Sequence, residues 1–143
     1  MNSFPEKPLT AGIDEDVILS AIVEGATDGI ARIDADGRIV SWTTGAERLL
    51  GYSREEIVGR EIFTIVPEDL RDAVRAGLRR QIQEGGVYHE ETVRIHKKGK
   101  PVPVLLTRVP LQDARGKTVA FLVIFKDISE KKKLQKQVET LQR

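Results

Sequence analysis

Two histidines, His89 and His96, and five serines, Ser3, Ser20, Ser41, Ser53 and Ser129, are the candidates for nucleophilic or proton-transfer chemistry in a chain of 143 residues that has no cysteine. None of the serines stands in a Gly-x-Ser-x-Gly elbow, so a Ser/His/Asp triad would have to be assembled by the fold alone. The missing cysteine excludes disulfides, thiolate nucleophiles, iron–sulfur clusters and cysteine zinc sites. Gly116-Lys117-Thr118 imitates the tail of a phosphate-binding loop, yet Leu111 occupies the place of its first glycine, and the segment reads as a turn. Asp34-x-Asp36-Gly37 imitates a calcium loop, but its glycine arrives two positions early and Gly45 stands where the bidentate glutamate belongs. No catalytic group and no metal site is assigned, and the chain is not read as an enzyme.

Charge and composition narrow the field further. The 23 basic and 22 acidic residues cancel to +1, and aromatic residues make up 5% of the chain, so neither a polyanion-binding surface nor a base-stacking platform is indicated. Arg71, Arg75 and Arg79 share one helical face, but Glu68 and Asp72 lie along it, which makes a solvated face the better reading. Met1–Thr10 has neither a basic nor an apolar targeting region. The longest apolar run, Val119–Phe125, falls well short of the ~20 residues that span a bilayer, so the expected location is cytoplasmic.

The elements that position these residues follow from spacing and caps. Residues 1–14 read as a disordered leader. Asp14 caps a short amphipathic helix over 15–25, in which Val17, Ile18, Ala21 and Ile22 recur at helical spacing. Gly29–Trp42 alternates around Asp34-Ala35-Asp36-Gly37 and predicts a β-hairpin. Thr44-Gly45-Ala46-Glu47 and Ser53-Arg54-Glu55-Glu56 match the capping box, each opening a short helix that ends at Gly51 or Gly59. A longer helix from Pro67 to Glu84 is expected to bury Leu70, Ala73, Val74, Gly77, Leu78 and Ile82. Val87–Ile95, Val102–Leu111 and Thr118–Lys126 read as strands joined by short turns, hence antiparallel neighbours. On strand parity His89 shares a face with Val93 and Ile95 and is the histidine expected to look inward. From 129 to 143 the chain lacks Gly and Pro, and it sets Leu134, Val138 and Leu141 at the 4-then-3 spacing of a coiled-coil seam, which predicts a helix continuing into an output domain.

The fold class is therefore α+β: a five-stranded antiparallel sheet with short helices and one longer helix on one face, flanked by an N-terminal amphipathic helix and a C-terminal coiled-coil helix. In that order the chain resembles the PAS family over roughly 16–130. The resemblance is carried by Asp28-Gly29-Ile30, by Asp36-Gly37-Arg38-Ile39-Val40-Ser41-Trp42, and by the run from Gly45-Ala46-Glu47-Arg48-Leu49-Leu50-Gly51-Tyr52 to Ser53-Arg54-Glu55-Glu56-Ile57-Val58-Gly59-Arg60. Asp127-Ile128-Ser129 resembles the family's Asp-Ile-Thr or Asp-Ile-Ser junction between last strand and signalling helix, while Thr43 departs from the Asn that many relatives carry.

The resemblance implies a sensory and dimerisation domain, over 15–128, of a bacterial signalling protein such as a sensor histidine kinase in a two-component system. Its alternative is a ligand-free interaction module with a side-chain-filled cavity. A cysteinyl–flavin adduct is excluded outright. Haem in the best-known haem-binding relatives hangs from a histidine on the longest helix, which here has none, leaving His89, His96 or an adduct-free flavin as the remaining routes to a cofactor. Trp42 could stack on a flavin, but a Trp ending a hairpin strand is better read as core. Asp127, Ile128 and Ser129 are the expected signal-transmission hinge, with Ser129 capping the exit helix and Asp127 pairing with a basic group. A homodimer is expected from Val17, Ile18, Ala21 and Ile22, the outer sheet face, and Leu134, Val138 and Leu141.

Overall fold

The computed structural model describes residues 28–142. The leader and the helix expected over 15–25, including Val17, Ile18, Ala21 and Ile22, lie outside the described residues. Strands β1 (Gly29–Asp34) and β2 (Ile39–Trp42) form the N-terminal hairpin, and β3 (Tyr88–Ile95), β4 (Pro101–Gln112) and β5 (Thr118–Asp127) form a meander. Pairing of β1 with β5 joins the two into one antiparallel sheet in the order β2-β1-β5-β4-β3.

Two of its turns use the same chemistry. Asp34 Oδ1 accepts the N–H groups of Asp36 and Arg38, and Asp113 Oδ1 accepts those of Arg115 and Lys117, each turn closing on a glycine at positive φ. The calcium-like and phosphate-loop-like fragments are therefore Asx-stabilised hairpin turns.

Between β2 and β3 the chain crosses one face of the sheet as helices α1 (Thr44–Leu50) and α2 (Arg54–Ile57), two 3-10 turns (Ile62–Ile65 and Glu68–Leu70) and the long helix α3 (Arg71–Glu84). Ser53 and Glu56 form the expected capping box. The cap of α1 differs from expectation: Thr43, not Thr44, supplies it, accepting the N–H of Ala46 at 3.3 Å and of Ile30 at 3.0 Å through one buried hydroxyl. Pro67 fixes an extended backbone ahead of a 3-10 turn, so α3 begins at Arg71 rather than at the proline. Within α3 the burial also shifts: Leu78 and Gln81 are buried, whereas Ala73 and Ile82 are exposed.

The core lies between these helices and the inner sheet face, where Ile33, Trp42, Leu50, Ile57, Ile65, Leu106, Phe121 and Phe125 are fully buried. Each large apolar side chain so buried contributes roughly 1.5–3 kcal/mol. Trp42 is core as expected, tilted against Phe125 at 6.2 Å with its indole N–H donated to the Tyr52 carbonyl at 3.0 Å. After β5 the chain turns at Ile128 into α4 (Ser129–Leu141), all of whose side chains are exposed. No helix among the described residues is long and apolar enough to cross a membrane.

Candidate functional site

Two places combine polar side chains with a structural reason for their position: a cleft between α3 and the β3–β4 edge of the sheet, and the junction between β5 and α4.

The cleft exists because the inward face of β3 is polar. Register with β4 sets Tyr88, Thr92 and Arg94 opposite Arg108, Val104 and Val102, on the side that faces the helices. Val93 and the histidine that shares its parity, His89, therefore face the opposite side. His89 is exposed there, its Nδ1 2.8 Å from Thr107 Oγ1, so the expectation that it looks inward is wrong. Parity itself was right, but this edge strand turns its apolar residues outward and its polar ones in. His96 packs its ring on Gly51, whose positive φ ends α1, and accepts the Lys98 N–H. Neither histidine lines the cleft.

The cleft holds about 530 Å³ and is lined by Leu70, Val74 and Gly77 of α3's side and by Tyr88, Thr92, Arg94 and Arg108 of the sheet. That volume falls within the roughly 300–1,000 Å³ typical of small-molecule sites. Behind it, a second space bounded by Ile33, Ile62, Leu78, Leu106, Val123 and Phe125 and by Arg94 and Arg108 has room for no more than about one water, so the deep interior is largely occupied by the protein's own side chains.

Arg94 and Arg108 form the floor at 3% and 4% exposure. Arg108 donates Nε to Gln81 Oε1, and the amide nitrogen of Gln81 in turn donates to the carbonyls of Gly86 (3.0 Å) and Arg108 (2.9 Å), which explains why a glutamine is buried in α3. The Arg108 guanidinium lies over the Tyr88 ring at 4.7 Å, a cation–π contact. Gly77 makes room for it: a Cβ there would stand 2.8 Å from Arg108 Nη2. Arg94 donates Nη1 to the Val93 carbonyl at 2.8 Å, while its Nε is buried without a partner. An unmet buried donor of this kind costs about 1–3 kcal/mol. Burial first, and then the neighbouring Arg108, bring the Arg94 pKa down to about 10, with Tyr88 opposing the shift. Burial likewise lowers Arg108 and raises Tyr88, whose hydroxyl donates to Glu90 at 3.2 Å.

At the second place, Ile128 is buried and donates its N–H to the Pro103 carbonyl of β4 at 3.2 Å. Pro103 is tolerated in an inner strand because its nitrogen points to the side where β5 has already turned away. Asp127 Oδ1 accepts the Ser129 N–H at 2.8 Å. Neither expected role is found: Asp127, not Ser129, supplies the side-chain acceptor at the helix start, and Asp127 has no ion pair among the described residues. Lys131 and Lys132 of α4 reach Glu91 of β3 at 2.8 and 2.6 Å and hold its carboxyl down at about 2. Leu134, Val138 and Leu141 lie beyond that anchor, exposed by 53%, 50% and 85%.

Sequence reasoning missed the cleft. The signal present was the alternation Val102, Val104, Leu106, Arg108, which puts a guanidinium on the buried face of the most regular strand.

Residues 18–128 match the family model described as the PAS fold. The chain is 28% identical over 142 residues to the cell-division control histidine kinase PdhS of Brucella ovis, covering 96% of this chain and 13% of that protein. It therefore spans only about an eighth of the curated relatives it matches. The PAS domain of a protein from Colwellia psychrerythraea superposes with a TM-score of 0.76 at 23% identity, over 82% of this chain and 99% of that one. A domain of a sensory box sensor histidine kinase/response regulator from Geobacter sulfurreducens gives 0.66 at 25% identity, over 79% and 94%.

Proposed function

The chain belongs to the PAS family, and from that premise we propose that it is a sensory and dimerisation domain that passes a change at the sheet to a C-terminal helix pair. It is read as non-catalytic. On this reading an output domain follows 129–143 in a cytoplasmic signalling protein, and two copies meet along Leu134, Val138 and Leu141 and, outside the described residues, along Val17, Ile18, Ala21 and Ile22; the likeness to a histidine kinase supports it.

The observation that carries the reading is the double attachment of α4. Its start is wedged into the sheet through Ile128 and Pro103, and its first turn is clamped to β3 through Glu91. β3 is also the strand that presents Tyr88, Thr92 and Arg94 to the cleft. A ligand that moves β3 therefore pulls on α4 by way of Lys131 and Lys132, a short path with a bistable element at its end when two helices pair.

The filled interior behind the cleft favours a second reading, a ligand-free interaction module. The two are separated by labelling. The chain has no cysteine, so a spin label on Gln137→Cys is unique in each copy. Asp127→Ala is expected to change the label-to-label distance across the dimer while the thermal midpoint of the domain moves little. An unchanged distance, or the absence of any second label, removes the transmission reading.

A further inference from the structure

The floor of the cleft carries two buried positive charges, and among the described residues neither meets a carboxylate within ion-pairing distance. Arg94 spends one nitrogen on the carbonyl of its own neighbour and leaves Nε unmet, and Arg108 spends Nε on a neutral amide. Of the acidic groups on this side of the sheet, Glu90 takes the Tyr88 hydroxyl, and Glu84 lines the mouth of the cleft, exposed, with Arg80. Folding has thus placed two guanidiniums near one another against their mutual repulsion, in a site whose other polar lining is Thr92, Tyr88 and Gln81, with Arg80 and Glu84 exposed at its rim. Side chains chosen only to fill space would be apolar, since a buried charge without a partner destabilises the fold. Gly77 adds to the point, because an alanine would favour α3 as a helix former yet would crowd Arg108.

We infer that the cleft between α3 and the β3–β4 edge binds a small organic or inorganic anion, a carboxylate or a phosphate, held between Arg94 and Arg108. Planar guanidiniums present paired donors that match the oxygens of either group, and burial strengthens each such bond. Thr92 and Tyr88 are positioned to discriminate the rest of the ligand. The inference names the ligand class of the sensing site and so rests on the sensory reading given above.

The test is a titration of the chain, with arginine side chains labelled for NMR, by sodium phosphate and by sodium succinate at matched ionic strength. Sodium chloride and neutral succinamide serve as controls. Phosphate, succinate or both are expected to shift the Arg94 and Arg108 Nε–H resonances and to raise the thermal midpoint, and the more effective anion identifies the headgroup. Arg94→Met is expected to raise the midpoint of the unliganded protein and to weaken the anion response about tenfold to a hundredfold, the loss that removing a charge-assisted hydrogen bond gives. Should Arg94→Met not fold, Gly77→Ala decides: it keeps or raises the midpoint and weakens the same response. The inference falls if chloride or succinamide shifts the resonances as strongly, if neither anion shifts them, or if the variant that folds responds like the parent. Anion binding with an unchanged Gln137→Cys label distance would overturn the sensory reading and leave the anion site standing. A label distance that responds to Asp127→Ala, with no anion response, would do the reverse.

Discussion

Thr43 holds two elements with one hydroxyl. Its oxygen accepts from Ala46 at the start of α1 and from Ile30 in β1, and its own N–H returns to the Ile30 carbonyl at 3.0 Å. All of this is buried, so removing the hydroxyl leaves two amides unmet rather than hydrated. Thr43→Val is therefore expected to destabilise the domain by about 1–2 kcal/mol, the upper part of the range for a lost helix cap, while Thr43→Ser keeps most of the stability. Denaturant titration of the two variants checks this, and equal midpoints for Val and parent would contradict it. Glu56 makes a contrasting case at the surface. Lys97 first, and then the Ser53 N–H, hold its carboxyl at about 2, below the usual 4.5. A depressed carboxylate stabilises above its ordinary pKa and stops doing so as pH falls toward the depressed one. Glu56→Gln, whose amide oxygen still accepts from Ser53, should therefore lower stability slightly above pH 4.5 and match the parent near pH 2, flattening the denaturation profile by the small amount an exposed pair contributes.

Helix α4 is attached to the sheet by elements that sequence alone did not bring together. Glu91 lies 40 residues from Lys131, and only the β3–β4–β5 pairing brings them within reach. Its carboxyl is held at about 2, so the clamp persists through acidic conditions and opens only as pH falls through about 2, while the stability it lends the fold declines between pH 4.5 and 2. Glu91→Gln is expected to speed amide hydrogen exchange in the first turn of α4 at neutral pH, leaving the rates in β4 and β5 unchanged; exchange as slow as in the parent would show that the hinge alone fixes the helix. Local signals carried the parts of the fold that local chemistry decides: the Asp34 and Asp113 turns, the Ser53–Glu56 box, and strand bounds within a residue or two. They failed where a distant partner decides. Thr44 and Thr43 offer the same hydroxyl, and the approach of β1 selects the second. His89 and Arg94 follow one parity rule, but which face is inward depends on α3 packing over β3. Gln81 and Arg108, 27 residues apart, have no sequence signature as a pair.

At the scale of the molecule, the question is what covers the far half of α4. Beyond Lys132 none of its side chains is buried, and a 13-residue helix gains too little from its own hydrogen bonds to persist in water. Leu134, Val138 and Leu141 line one face, half to mostly exposed, and burying such a stripe against its copy stabilises by about 25 cal/mol for each Å² of apolar surface removed. Two heptads alone make a marginal coiled coil, so the proposed pairing would draw on the anchor at Ile128 and Glu91, which fixes where the helix starts and lowers the entropy lost on association. Near-neutral net charge, +1 over the chain, leaves little long-range repulsion to oppose it. On the proposed pairing, Leu134→Asp combined with Val138→Asp is expected to turn a parent that scatters light as a dimer into a monomer while the thermal midpoint of the sheet domain is retained, because both side chains are exposed. If the parent chain scatters as a monomer at micromolar concentration, the seam does not pair copies of this domain. If the double variant stays dimeric, the association runs through surfaces other than α4.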